Sequence, residues 1–219
     1  MLVVGFDTAT PAVSVAIHDG ERVVGEAFAV DARRHGELLM PMIAKVMAQA
    51  GASRADLTAV AVGVGPGPYT GLRVGVVTAR VLGAVLGIPV HGVCTLDVIA
   101  AAAAGGREFG VATDARRKEV YWARYDAGRR RLEGPLVSGA SSIPGAPGLA
   151  VAGTGGQLYP EAFGEVIGPA YPQARTLCAI VAGRAGLGAA QPPLLAADPL
   201  YLRRPDAREP GRPKRVTPS

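Results

Sequence analysis

Cysteine, histidine and aromatic residues are scarce in this 219-residue chain, and each scarcity removes a class of function. Two cysteines, Cys94 and Cys178, cannot build a disulfide framework. With three scattered histidines, His18, His35 and His91, they form no Cys/His zinc pattern, so a reduced, cytoplasmic protein without a metal is expected. Aromatics make up 5% of residues, with one Trp, which argues against a base-stacking platform for nucleic acid. The start, Met1-Leu-Val-Val-Gly-Phe-Asp7, lacks the basic residues and long apolar run of a secretion signal. The longest stretch without a charge, 134–160, is full of Gly, Pro and Ser, and the apolar run from Val81 breaks at Pro89, so no membrane partner is expected. Net charge is also lacking over most of the chain. Of the total of +5, the segment 203–219 with six Lys/Arg and two acids supplies +4. Autonomous tRNA binding would rest on that tail alone, giving salt-sensitive affinity without specificity.

What remains patterns as a globular α/β protein. Val3 to Asp7, Ala12 to Ile17 and Arg22 to Phe28 read as three strands with short connections. The apolar stretch from about Glu37 to Gly51 is too long for a strand and reads as a first helix. Leu57 to Val64 reads as a buried strand, Thr70 to Leu86 as a second helix closed near Gly87, and Ile88 to Val93 as the next strand. Strands joined by helical crossovers are expected to be parallel. A further helix ends over 100–104, and Gly105-Gly106 marks a boundary. Strand-like runs resume at Phe109 to Thr113, Val120 to Tyr125, Leu132 to Val137 and Leu149 to Ala152, followed by a helix from Thr176 to Gly188. The expected organisation is an N-terminal lobe over 1–104, a smaller C-terminal lobe over 105–202, and a basic Pro/Arg-rich tail over 203–219 that stays disordered unless a partner orders it.

Two helices draw attention. In the second, Gly71, Gly75, Ala79 and Gly83 recur every four residues along one ridge, and mid-helix glycine costs about 1 kcal/mol relative to alanine. A close approach of another backbone would compensate, either from this chain or from a partner. The first helix carries apolar residues on nearly all sides: Leu39, Ile43, Val46 and Ala50 form one stripe, Met40, Ala44 and Met47 a second, and Leu38 and Met42 add more. Burial under a second lobe would account for this. An intermolecular contact through methionines, which repack easily, is the preferred reading.

Catalytic constellations are thin. The segment from Gly63 to Arg73 sits between a strand and a helix, but no Gly-Lys-Ser/Thr closes it and two prolines remove N–H donors, so a stiff turn is favoured over a phosphate cradle. Asp7 at a strand end and Asp114 after a strand stand where carboxylates position magnesium in two-lobed phosphotransferases, or else serve as turn acceptors. Gly153 and Gly155, in Ala152-Gly-Thr-Gly-Gly156, would back an adenosine or form a tight loop.

Asp7-Thr-Ala-Thr10, Arg34-His-Gly-Glu-Leu-Leu-Met-Pro41, the run from Gly63 through Pro-Gly-Pro-Tyr-Thr-Gly-Leu-Arg73 to Gly75, Asp114-Ala-Arg-Arg-Lys-Glu-Val-Tyr121 and Pro199-Leu-Tyr-Leu-Arg203 resemble the bacterial TsaB (YeaZ) family, in order and over nearly the whole chain. Gly36 and Pro68 depart from the family pattern, which has serine-like residues there. The resemblance implies an α/β, actin-like ATPase fold of two lobes, of the sugar kinase and Hsp70 nucleotide-domain type. It implies a noncatalytic subunit that scaffolds a TsaD-like catalytic paralogue during threonylcarbamoyladenosine synthesis on tRNA, joined by a TsaE-like ATPase and forming homodimers when alone. Contact with tRNA would be indirect, through the complex, and ATP or ADP would bind where subunits meet. It places the contact on the two N-lobe helices, at Leu38, Met40, Ala44, Met47, Gly71, Arg73, Gly75 and Ala79, and leaves Asp7, Thr8, Asp114, Gly153 and Gly155 as a vestigial nucleotide site. The rival from another class is a free-standing small-molecule kinase or ATPase using Asp7 and Asp114 around magnesium. A peptidase finds no support, because no nucleophile/base pair can be assembled.

Overall fold

A computed structural model describes residues 1–183 and 186–203; the expected tail beyond Arg203 lies outside the described residues. The chain opens with three antiparallel strands, β1 (Val3–Asp7), β2 (Ala12–His18) and β3 (Val23–Val30), followed by helix α1 (His35–Gln49). Strand β4 (Ala59–Gly63), helix α2 (Tyr69–Leu86) and strand β5 (Val90–Val93) complete a sheet of order β3-β2-β1-β4-β5, in which β1, β4 and β5 run parallel as the crossovers require. Helix α3 (Thr95–Ala102) leads to a second sheet of order β8-β7-β6-β9, built from β6 (Phe109–Asp114), β7 (Glu119–Tyr125), β8 (Arg131–Gly139) and β9 (Ala150–Ala152). Two short helices follow, α4 (Gly155–Leu158) and α5 (Ala174–Val181).

The first sheet is sorted by side-chain size. On β1, β2 and β4 the larger residues Val4, Phe6, Val15, Ile17, Val60 and Val62 point to one face, where they pack with α1 and α2. The alternate positions are small, with Gly5, Ser14, Ala16, Ala59 and Ala61 among them, so α5 seats closely on the opposite face through Leu177, Cys178 and Ile180. A Cβ on Gly5 would collide with Cys178 Sγ. The Ser14 hydroxyl accepts from Ala174 N–H at 2.7 Å and starts that helix.

This docking corrects the sequence expectation for the C-terminal part. The stretch 105–202 does not stay in a second lobe: α5 returns to the first sheet, and the helix expected from Thr176 to Gly188 instead spans Ala174–Val181, stopping before Gly183 at φ 68°. A strap then follows the edge of the first sheet. Leu195 exchanges backbone hydrogen bonds with Gly92 at 2.8 Å, and Leu200 N–H donates to Val64 O at 2.8 Å. The strap ends against the second sheet, where Arg203 donates to Ala115 O at 3.0 Å and pairs with Glu119.

Helix α2 is seated on the β1–β2 connection by its glycines. A Cβ on Gly71 would lie 2.6 Å from Thr8 O, and one on Gly75 2.5 Å from Thr8 Oγ1, while the Thr8 hydroxyl donates to Gly71 O at 2.7 Å. By length and composition α2 is apolar enough to cross a membrane, at a mean hydropathy of 1.3, a feature the sequence reading passed over. Only a third of that helix is buried: Gly71, Leu72, Gly75, Val76, Ala79 and Gly83 pack inward, while Val77, Val81 and Val85 stay exposed. Gly75→Ala is therefore expected to destabilise the protein by about 1–3 kcal/mol through overpacking, although alanine is the better helix former. A urea midpoint equal to or above that of the parent would contradict this seating.

Candidate functional site

The small-residue ridge does not face a partner. Gly71, Gly75 and Ala79 are buried against the β1–β2 connection and the sheet, which corrects their expected place in an intermolecular contact. Met47 is likewise buried in the core with Met42. Two residues of α-helix turn through about 200°, so the ridge Arg73, Val77, Val81 and Val85 lies opposite the glycines and points outward. Val77, Val81 and Val85 are 56%, 54% and 76% exposed. This ridge was missed at the sequence level, although its fourfold spacing was as visible as that of the glycines.

Helix α1 lies beside α2 on the same face of the sheet. Of the residues expected at the contact on this helix, Met40 is 51% exposed, Ala44 is exposed and Leu38 is half-buried. Valine is a poor helix residue and Val77, Val81 and Val85 are each more than half exposed, whereas covering each would contribute on the order of 1 kcal/mol. The two helices thus present an outer surface in which apolar residues are interspersed with the cations Arg73 and Arg80 on α2 and Lys45 on α1.

Arg73 is fixed in place. Its guanidinium lies 4.1 Å above the Tyr69 ring, and its Nε donates to Tyr201 Oη at 2.9 Å. Tyr201, on the strap, stacks on Tyr69 with ring centroids 5.1 Å apart. Arg80, one turn beyond Val77, pairs with the strap's Asp198 at 3.2 Å. Pro199-Leu-Tyr-Leu-Arg203, read from sequence as a late motif, is the piece that clamps the start of α2.

The residues expected to form a nucleotide site are engaged within the chain. Asp7 is fully buried; its Oδ1 accepts from Ala9 N–H at 2.8 Å and its Oδ2 from the Thr95 hydroxyl at 2.8 Å. Burial pushes its carboxyl from 3.8 up to about 6, against the opposing pull of Ala9, Thr95 and His35. Thr95 also accepts from Gly65 N–H at 3.1 Å, so an amide that a phosphate would need is already used, and the Gly63–Arg73 segment behaves as the stiff turn. His35 Nε2 donates to Thr10 O at 2.7 Å, which ties α1 to the same connection. Asp114 Oδ1 accepts from Arg116 N–H at 2.7 Å, the turn-acceptor role. Gly153, at φ 89°, and Gly155 press against Ala112 of β6, forming a tight loop. Among the described residues, no group of three or more His, Cys, Asp or Glu is placed to hold a metal ion.

Comparison with known proteins gives this arrangement a family. The family described as "TsaD: tRNA N6-adenosine threonylcarbamoyltransferase" matches residues 24–144. A solved structure of YeaZ from Pseudomonas aeruginosa superposes with a TM-score of 0.72 at 28% identity, covering 92% of this chain and 99% of that one. The Escherichia coli (strain K12) "tRNA threonylcarbamoyladenosine biosynthesis protein TsaB" is 39% identical over 129 residues, 57% of this chain and 55% of that protein. The chain belongs to the TsaB/YeaZ family. An uncharacterized protein of Mycobacterium tuberculosis (strain H37Rv) is 46% identical over 212 residues, 94% of this chain and 93% of that protein. The match to the TsaB of Escherichia coli spans about half of that relative's length. With the family comes the expected actin-like α/β fold, two mixed sheets with helices packed on them.

The buried Asp7 gives a pH signature. Because its folded-state pKa lies above the ordinary value of 3.8, the folded protein holds the proton better than the unfolded chain, and stability falls as pH rises from about 4 through about 6. Asp7→Asn, which keeps a neutral side chain at every pH, should flatten that fall. Urea midpoints at pH 4.5 and pH 7 measure it, and equal pH dependence in the two proteins would show that the burial is relieved by other means.

Proposed function

We propose that this TsaB/YeaZ-family chain is a noncatalytic scaffold subunit of threonylcarbamoyladenosine synthesis on tRNA. It docks through the outer faces of α1 and α2 onto a TsaD-like catalytic paralogue and holds it in an active arrangement for threonylcarbamoyl transfer to the adenosine beside the anticodon of tRNAs reading codons that begin with A. The single observation that carries this reading is the exposed Val77, Val81 and Val85 ridge beside Met40 and Ala44. Two paired helices offering two such stripes fit a helix-on-helix interface, in which ridges of one pair enter the grooves of another. The same face serves a homodimer in the absence of the paralogue. A TsaE-like ATPase joins the assembly, with nucleotide held at the subunit junction.

The kinase or ATPase reading is not favoured by the geometry. Its two carboxylates are Asp7, sealed between Ala9 and Thr95, and Asp114, committed to the Arg116 turn.

Gly75→Glu is a poor test of docking, because the side chain would strike Thr8 and unfold the helix seat. Val81→Glu introduces a charge into the exposed ridge and should change stability by no more than about 0.5 kcal/mol. The expected result is at least a tenfold loss of co-elution with the catalytic paralogue and an unchanged melting profile. Undiminished co-elution would remove the face from the interface. Threonylcarbamoylation of tRNA by the paralogue should stop when this chain is omitted and return when it is added back; modification without it would overturn the scaffold role.

A further inference from the structure

The edge of a β-sheet is a row of backbone N–H and C=O groups that another chain can pair with, so native folds cover or interrupt it. Among the described residues, three of the four sheet edges are treated in this way. Strand β5 is covered by the strap, through Leu195 and Gly92. On the outer side of β9, Val151 N–H donates to Glu165 O at 2.9 Å and Ile167 N–H donates to Val151 O at 2.8 Å. Strand β8 is interrupted by Pro135, which has no N–H, and by shifts of register against β7. Strand β3 is the remaining edge, and only its first half is covered. There Glu26 N–H, on the outer side, donates to Gln49 Oε1 of α1 at 2.9 Å, and the Glu26 carboxylate accepts from Arg175 Nε at 2.8 Å.

Main-chain groups alternate sides along an antiparallel strand. With Glu26 turned outward, Phe28 and Val30 are turned outward as well, while Ala27 and Ala29 face β2. Among the described residues, nothing bonds the main chain of Phe28 or Val30 on the outer side. Their side chains are 51% and 52% exposed. The usual protections are missing from this half: β3 has no proline and no lysine, and its one charge, Glu26, is matched by Arg175. Beside it lies a cavity of about 580 Å³ lined in part by Phe28, Tyr171 and Gln173, with the rings of Phe28 and Tyr171 6.2 Å apart.

We propose that the open half of β3 pairs antiparallel with the same stretch of a second copy of this chain, about a twofold axis at Ala29, joining the two first sheets into one. The stretch is complementary to itself in this register. Phe28 stands opposite Val30 of the second copy, and Val30 opposite its Phe28. Each couple exchanges two main-chain hydrogen bonds, which uses every open group and leaves the Gln49 cap on Glu26 in place. An axis at Phe28 would instead need the capped Glu26 N–H. An aromatic residue opposite a β-branched one is a favourable cross-strand couple, and both couples fall on the sheet face that carries the cavity. Ala29 meets its own copy on the α1 face, where its small side chain permits the close spacing of a pair without hydrogen bonds. Helix α1 has room for the same symmetry. It packs on both β2 and β3, so its axis runs about half a strand spacing inside the edge, and joining the edges sets the two α1 axes about 10 Å apart, at helix packing distance. The half-buried Leu38, about three turns before Gln49 on the same flank of α1, then faces the seam. This contact is separate from the valine ridge of α2 and does not rest on the docking reading.

Sedimentation velocity of the full chain over a concentration series tests this in the Val81→Glu background, where self-association through the outer face of α1 and α2 is disabled. Val81→Glu alone should still dimerise. Adding Phe28→Lys/Val30→Lys sets lysine against lysine twice across the seam and should weaken the dimer at least about tenfold. Adding Phe28→Lys/Val30→Glu sets lysine against glutamate twice and should restore dimerisation to within about threefold of Val81→Glu alone. An axis at Phe28 would keep lysine against lysine in both variants. Recovery in the charge-swapped variant, changed at the same two half-exposed positions, separates loss of the seam from loss of the fold, and all melting profiles should match. A monomeric Val81→Glu protein, equal dimerisation with the two lysines, or no recovery on the charge swap would each overturn the proposal. Co-elution with the catalytic paralogue reads the docking face independently: its persistence in Val81→Glu would remove that face and leave the seam standing.

Discussion

The seating of α2 on the β1–β2 connection governs much of what this protein presents to its surroundings. Gly71 and Gly75 bring the helix backbone against Thr8, whose hydroxyl donates to Gly71 O, and His35 fastens α1 to Thr10 on the same connection. With the bare ridge turned inward, helical geometry leaves no choice for the residues half a turn away. Arg73, Val77, Val81 and Val85 must face out. The exposed apolar surface is thus a consequence of close internal packing, and the energetic cost of mid-helix glycine is met inside the chain rather than at an interface.

The same connection puts a carboxylate at a strand end to structural use. Asp7 stands at the end of β1, but the chain closes over it: Ala9 N–H and the Thr95 hydroxyl take its oxygens, and Thr95 in turn holds Gly65. With both oxygens committed, to Ala9 N–H and to the Thr95 hydroxyl, the buried Asp7 carboxyl acts as a joint between three segments. Asp114 shows the same shift of purpose, organising the basic turn that follows it through Arg116.

Most elements were legible from period and punctuation. Short apolar runs separated by polar turns marked the strands of the first sheet, and Gly87, at φ 66°, ends α2 where its sequence position suggested. Faces were harder. A ridge of glycines and a ridge of valines on one helix are equally periodic, and the choice between them depends on whether Thr8 is near, a contact 63 residues away in sequence. Met47 was grouped with Met40 and Ala44 by spacing, yet the sheet covers it. The return of α5 was hidden because its partners, Gly5, Ser14 and Ala16, are inconspicuous: smallness on the second face of β1 and β2 was the signal, visible only once both faces are known to be covered. The meeting of Tyr69, Tyr121 and Tyr201 around one cleft was invisible for the same reason, since they come from two lobes and the strap.

The strap gives these separate features a common support. Tyr201 holds Arg73, the first residue of the outward ridge, and stacks on Tyr69, which lines the cleft, while two residues later Arg203 reaches the second sheet. The first turn of α2 is therefore clamped by a segment from the far end of the described chain, and the helix end that carries Arg73 is fixed by the same residue that reaches over Tyr69.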